Sequence, residues 1–234
     1  MTRTIVFDLD GTLVDTAPDL ISTLNLVLSR EGLSPVGYDD ARRMIGGGSR
    51  RMVERALIAQ GHSVPTTEID RIFHAFLDHY GAHIADRSRP YPHIEIILAR
   101  LSAEGSRLAV CTNKLERLAV RLLDALNLSH YFSAICGQDT FGVQKPDPQM
   151  LLLTIRRAGG ELDGAVMVGD STTDVRTARA ANVPVIAVDF GYSEIPVARL
   201  HPDQIIGSFA ELPAALAAIA EQNPPVPTAG ISRS

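Results

Sequence analysis

The chain has 234 residues, more than one average domain and less than two, and its 45% hydrophobic and 21% charged composition is that of an ordinary globular protein. A net charge of −5 without any basic block excludes an electrostatic surface for nucleic acid or an anionic membrane. No apolar run approaches the roughly 18 residues of a membrane span, residues 1–10 lack the basic start and cleavage site of a secretory leader, and two cysteines, Cys111 and Cys136, cannot build a disulfide framework, so a soluble cytoplasmic protein is expected.

In chain order, short β-branched runs at residues 4–7, 108–112, 134–137, 165–169, 183–188 and 204–206 predict strands. Most are apolar throughout, as strands buried on both faces must be, and this points to a parallel sheet covered by helices. Helical periodicity predicts helices over 115–126, 148–158, 172–181 and 209–221. Strand alternating with helix makes this a doubly wound α/β domain. Cys111 lies inside one of the apolar runs and reads as a buried, inert thiol.

Residues 15–88 break the alternation, with no strand signal. Leu20, Leu24, Val27 and Leu28 form one apolar stripe; Met52, Val53, Ala56 and Leu57 form a second; Ile69, Ile72, Phe73 and Phe76 form a third. The expected organisation is an α/β core from 1–14 and 89–221, an inserted helical domain over 15–88, and a disordered tail over 222–234, where three prolines interrupt any periodicity. Arg89-Pro90-Tyr91-Pro92 reads as the returning linker.

Ligands of a parallel α/β sheet bind beyond the carboxyl ends of its strands, and polar residues gather at four such ends. The first is Asp8-Leu9-Asp10-Gly11-Thr12, whose two carboxylates repel one another unless a cation lies near, or serve simply as turn formers. The second is Thr112-Asn113-Lys114, able to grip a phosphoryl group or merely to cap a helix. The third is Gln144-Lys145-Pro146-Asp147-Pro148; a lysine at a helix start opposes the helix dipole and calls for a nearby anion. The fourth is Gly169-Asp170-Ser171-Thr172-Thr173-Asp174, where Asp170 and Asp174 stand one helical turn apart, as oxygen ligands for a hard cation or as a cap and a surface carboxylate. Of the 22 basic residues only Lys114 and Lys145 are lysines, and both fall in these motifs.

The four motifs, in order and spacing, resemble those of the haloacid dehalogenase superfamily, and the insert resembles that superfamily's small helical cap. Asp15-Thr16-Ala17-Pro18-Asp19-Leu20 and Phe190-Gly191-Tyr192 resemble its phosphoglycolate phosphatase branch. The resemblance implies a Mg²⁺-dependent phosphatase, with 2-phosphoglycolate as the leading substrate and a sugar phosphate or pyrophosphate as alternatives. It implies Asp8 as nucleophile and Asp10 as general acid and base, with Thr112, the Asn113 backbone and Lys145 around the phosphoryl group. Mg²⁺ would sit between Asp8, Asp170 and the Asp10 backbone carbonyl, with Asp174 ligating or ordering it. Lys114 is left to either the phosphoryl group or the rest of the substrate. For a substrate carboxylate the insert offers Arg50, behind Gly46-Gly47-Gly48-Ser49, with Arg43, Arg51 and Lys114 as competing cations. The expected partner is a small phosphorylated metabolite, bound by a monomer or homodimer.

The same fold hosts other chemistry. A dehalogenase does not require Asp10, Asp170 and Asp174, and a Schiff-base phosphonate hydrolase needs a lysine that residues 15–88 lack. A phosphomutase shares all four motifs, while a non-catalytic binding protein is expected to have lost one of them. The chain departs from its relatives at His93, where they often have glycine, and at Leu115, where many have proline.

Overall fold

A computed structural model describes residues 3–62 and 65–222. Strands β1 (Thr4–Phe7) and β2 (Val14–Asp15) lead into four helices, α1 (Ala17–Arg30), α2 (Tyr38–Arg43), α3 (Ser49–Ala59) and α4 (Thr66–Ala82). Strand β3 (Arg89–Pro90) brings the chain back to α5 (Ile94–Ala103), β4 (Arg107–Cys111), α6 (Glu116–Ala125) and β5 (Ala134–Cys136). Then follow α7 (Pro148–Arg157), β6 (Ala165–Gly169), α8 (Thr172–Ala180), β7 (Val185–Val188), β8 (Gln204–Ile206) and α9 (Leu212–Gln222). Apart from Gln222, the expected tail lies outside the described residues.

Six strands form one parallel sheet in the order β5-β4-β1-β6-β7-β8. Alternation along each strand divides the core into two layers. Ile5, Phe7, Leu108, Val110, Val166 and Val168 join the larger cluster, which continues into the helical segment. Val6, Ala109, Cys111 and Met167 face the other way, against Met150, Leu151 and Ile155 of α7 and Val175 and Ala178 of α8. Burial pushes the Cys111 thiol up to about 12, in keeping with an inert thiol.

The apolar stripes of α1 and α3 are buried as expected; in α4, Ile72 and Phe76 are buried while Ile69 and Phe73 are only partly covered. The links into and out of this segment are not plain linkers. Val14 pairs with Pro90 and Asp15 with Arg89 as a two-stranded antiparallel ribbon, too short for any periodicity to announce. Asp19 ties the ribbon to α1, accepting hydrogen bonds from Arg87 N, Ser88 N and Ser88 Oγ.

Three further differences have local causes. Helix α5 was not expected; its preceding residue, His93, takes a left-handed φ of 69°, which is where glycine fits best. Leu115 has φ −60°, an angle that proline also holds. The turn Phe209–Glu211 is 3₁₀, and α9 starts at Leu212 because Pro213 is tolerated only in a helix's first turn.

Candidate active site

Central strand β1 delivers Asp8 and Asp10 beyond its carboxyl end. The turn after them is closed by Gly11 N donating to Val14 O and Val14 N to Leu9 O. Gly11 has φ +85°, and a side chain there would bring its Cβ 2.5 Å from Asp170 Oδ2. Only glycine lets the two acidic strand ends approach so closely.

Asp8, Asp170 and Asp174 are all buried, and one carboxylate oxygen from each lies within 4.8 Å of the others. Lys145 Nζ stands 2.8 Å from Asp8 Oδ1 and 2.6 Å from Asp174 Oδ1. Burial draws the Lys145 ammonium down, but Asp174 and Asp8 outweigh it and hold its pKa above the usual lysine range. Burial pushes Asp8 up to about 7 although Lys145 opposes it, and Asp170 is raised by burial and by Asp174 and Asp8. One lysine therefore does not balance three buried carboxylates. Hard oxygen donors in this number and at this spacing fit a divalent cation such as Mg²⁺.

Asp170 is further fixed by Thr12 Oγ1, which donates to Oδ1 at 3.2 Å, and by Tyr192 N, which donates to Oδ2 at 2.6 Å. Asp174 is no surface carboxylate. It closes a capping box with Ser171 at the start of α8, accepting from Ser171 N and Oγ through Oδ2 while Oδ1 takes Lys145. With both oxygens engaged, Asp174 is better placed to order Lys145 than to ligate a metal alone.

Strand β4 supplies Thr112, Asn113 and Lys114. The Asn113 amide clasps the Lys145 backbone, accepting from Lys145 N at 2.9 Å and donating to Lys145 O at 3.1 Å. Lys114 Nζ meets both oxygens of Asp10, at 2.8 and 2.9 Å, and lies 4.7 Å from the ring centre of Tyr80 in α4. Burial lowers the Lys114 pKa but Asp10 and Tyr80 outweigh it, so the ammonium stays charged.

These groups line a cavity of about 30 Å³ between Asp8, Asp10, Thr112 and Lys114 on the core and Ile45, Gly48, Ser49 and Met52 on the helical segment. Gly48 has φ +88° and its Cβ position is 3.2 Å from Asn113 O, so the segment meets the core backbone directly.

Arg50 is not in this cavity, contrary to the sequence-based expectation. Its guanidinium pairs with Asp70 of α4 at 2.8 Å and with Glu54 one turn along α3, and it faces a neighbouring cavity of about 430 Å³. The helix explains the difference: Ser49, Met52 and Val53 share the face turned to the interior, and positions 50 and 54 turn away from it. Arg43 is likewise paired with Asp40.

Tyr80, Tyr192 and Arg42 contribute contacts that motif spacing did not single out, and Thr12 and Ser171, present in the motifs, were given no role there. Arg42 Nη2 donates to Phe190 O at 3.0 Å and Gly191 O at 2.7 Å, fastening α2 to the loop that holds Asp170. The Tyr192 hydroxyl accepts from Thr16 N and Ala17 N and donates to Asp15. Phe190-Gly191-Tyr192 carried a signal only through its family resemblance.

A family model described as haloacid dehalogenase-like hydrolase matches residues 5–188. A phosphoglycolate phosphatase of Mesorhizobium japonicum is 50% identical over 213 residues, which are 91% of this chain and 94% of that protein. One from Agrobacterium fabrum is 49% identical over 211 residues, covering 90% and 91%. A crystal structure described as a predicted phosphoglycolate phosphatase, from Haemophilus somnus 129pt, superposes with a TM-score of 0.84 at 31% identity, covering 91% of this chain and 97% of that one.

Proposed function

On the premise that the chain belongs to the haloacid dehalogenase-like hydrolases, and is a phosphoric monoester hydrolase of their phosphoglycolate phosphatase-like branch, we propose that it splits 2-phosphoglycolate into glycolate and phosphate through a phosphorylated Asp8. The carrying observation is the cluster of Asp8, Asp170 and Asp174 around Lys145 at one edge of the sheet. The substrate rests on the activity named for the relatives.

In this reading an Asp8 carboxylate oxygen attacks phosphorus as the P–O bond to glycolate breaks, and Asp10 gives its proton to the departing oxygen. Asp10 then takes a proton from the water that attacks phosphorus, which frees Asp8 and inorganic phosphate. Thr112 and the Asn113 backbone orient the phosphoryl oxygens, and Lys145 offsets their charge beside Asp8. Asp8, Asp170 and the Asp10 carbonyl would hold Mg²⁺, which when bound supplies positive charge to the transferring phosphoryl group. Residues 15–88 serve as the cap that shields the site from bulk solvent while the ester is bound and the phosphoryl group passes to Asp8.

The test is phosphate release from a panel of small esters with Mg²⁺ and after chelation. Phosphoglycolate is expected to lead sugar phosphates and pyrophosphate in kcat/KM by at least about tenfold, with all turnover lost on chelation. A different leading ester removes the substrate, and chelator-resistant turnover removes the metal.

A further inference from the structure

We propose that Lys114 reads the carboxylate of the substrate and does so as the partner of Asp10, making one core residue answer for both specificity and the placement of the acid. The inference rests on the phosphoglycolate reading above.

Lys114 is the only cationic side chain lining the narrow cavity among the described residues. Of the other nearby cations, Arg42 is taken by the Phe190 and Gly191 carbonyls, Arg43 by Asp40, and Arg50 by Glu54 and Asp70, while Arg51 is exposed and lines the neighbouring cavity beside Arg50 rather than this one. Lys145 is taken by Asp8 and Asp174. Lys114 itself is buried and holds Asp10 through both carboxylate oxygens. An ammonium has three N–H donors, so those two contacts do not exhaust it.

The connectivity of the substrate places its carboxylate here. In phosphoglycolate one methylene separates the ester oxygen from the carboxylate carbon. Asp10 must touch that ester oxygen to protonate it, and Lys114 Nζ is 2.8 Å from Asp10. A cation one residue beyond the acid therefore lies where the carboxylate falls. Tyr80, fully buried in α4, closes the space behind the ammonium with its ring face, so the charge is kept at the cavity wall. The helical segment then contributes to specificity through Tyr80 behind the lysine, with no cation of its own in the cavity among the described residues.

The experiment compares kcat/KM for 2-phosphoglycolate and for 2-hydroxyethyl phosphate, which replaces the carboxylate by an uncharged alcohol, in the wild type and in Lys114→Met. The wild type is expected to prefer phosphoglycolate. Lys114→Met should shrink that preference by about tenfold to a hundredfold, because a site built for a charged group rejects its neutral analogue mainly through that contact. Lys114→Gln, which keeps a donor for Asp10, should shrink it as well and carries the test if the methionine variant does not fold. Equal losses on the two esters overturn the inference and leave the lysine serving Asp10 alone, with the phosphoglycolate reading intact. A wild type that turns over both esters without preference sinks the substrate reading and the inference together.

Discussion

Asn113 and Lys145 hold each other in a closed ring of two hydrogen bonds, the amide of one clasping the peptide groups of the other across two loops. This clasp fixes the backbone from which the lysine's ammonium reaches Asp8. Asn113→Ala should leave two buried backbone groups unpaired, costing about 1–3 kcal/mol of stability. It should also lower kcat by about tenfold to a hundredfold at saturating Mg²⁺. A thermal melt and a rate measured on the same preparation separate the two effects. A lower melting temperature with an unchanged kcat would show that Lys145 is held by its carboxylate partners alone.

Asp8→Asn should abolish turnover with the fold intact, since an amide neither attacks phosphorus nor contributes its charge to a cation. Retention of more than about a hundredth of the wild-type rate removes Asp8 as nucleophile. Asp10→Asn should spare an aryl phosphate, whose leaving group needs no proton, far more than an alkyl one. Equal losses on the two esters would take the acid role from Asp10.

Mg²⁺ should raise the melting temperature more at pH 8 than at pH 5.5. Burial pushes Asp8 from 3.8 up to about 7, and Asp170 is raised too. With the pKa higher in the folded chain, the native state keeps a proton that the unfolded state has released between roughly pH 4 and 7. These carboxylates therefore make the metal-free protein less stable as pH rises through that window. A divalent cation binds their ionised forms and the folded arrangement only, so its stabilisation grows over the same interval. A Mg²⁺ increment that is flat or falling from pH 5.5 to pH 8 contradicts a site built from these groups.

Arg50→Ala should change kcat/KM for any substrate by less than about threefold. Its pairs with Glu54 and Asp70 are partly exposed, so their loss is worth about 0–1 kcal/mol. A hundredfold loss restricted to phosphoglycolate would return Arg50 to the substrate.

The strand ends were legible because chemistry and topology coincide there: three of the motifs directly follow an apolar run, a parallel sheet brings such ends to one edge, and Lys145 joins them from the loop between β5 and α7. Asp8, Asp10, Thr112, Lys145 and Asp170 meet for that reason. The helical segment was legible as helices through its apolar stripes, which say which face is buried but not which polar residue reaches the cavity. Arg50 and Ser49 are neighbours in sequence, yet the helix turns Ser49 to the cavity and Arg50 to Asp70. Tyr80 was hidden for the opposite reason. A tyrosine in an amphipathic helix reads as packing, and its place behind Lys114 depends on how α4 docks onto the core. The two-residue ribbon of β2 and β3 is shorter than any period that could reveal it.

That ribbon makes the helical segment interchangeable in principle. Entry and exit are held side by side, Val14 against Pro90 and Asp15 against Arg89, so the sheet meets the whole insertion as though it were a hairpin loop. Once the ends of a loop are joined, its length costs little more, about 0.6 kcal/mol for each doubling. Helices could be lengthened, shortened or exchanged between the two strands without shifting the register in which β1 presents Asp8 to β4 and β6. The helical segment can thus diverge while the sheet edge that carries Asp8, Thr112 and Asp170 stays still.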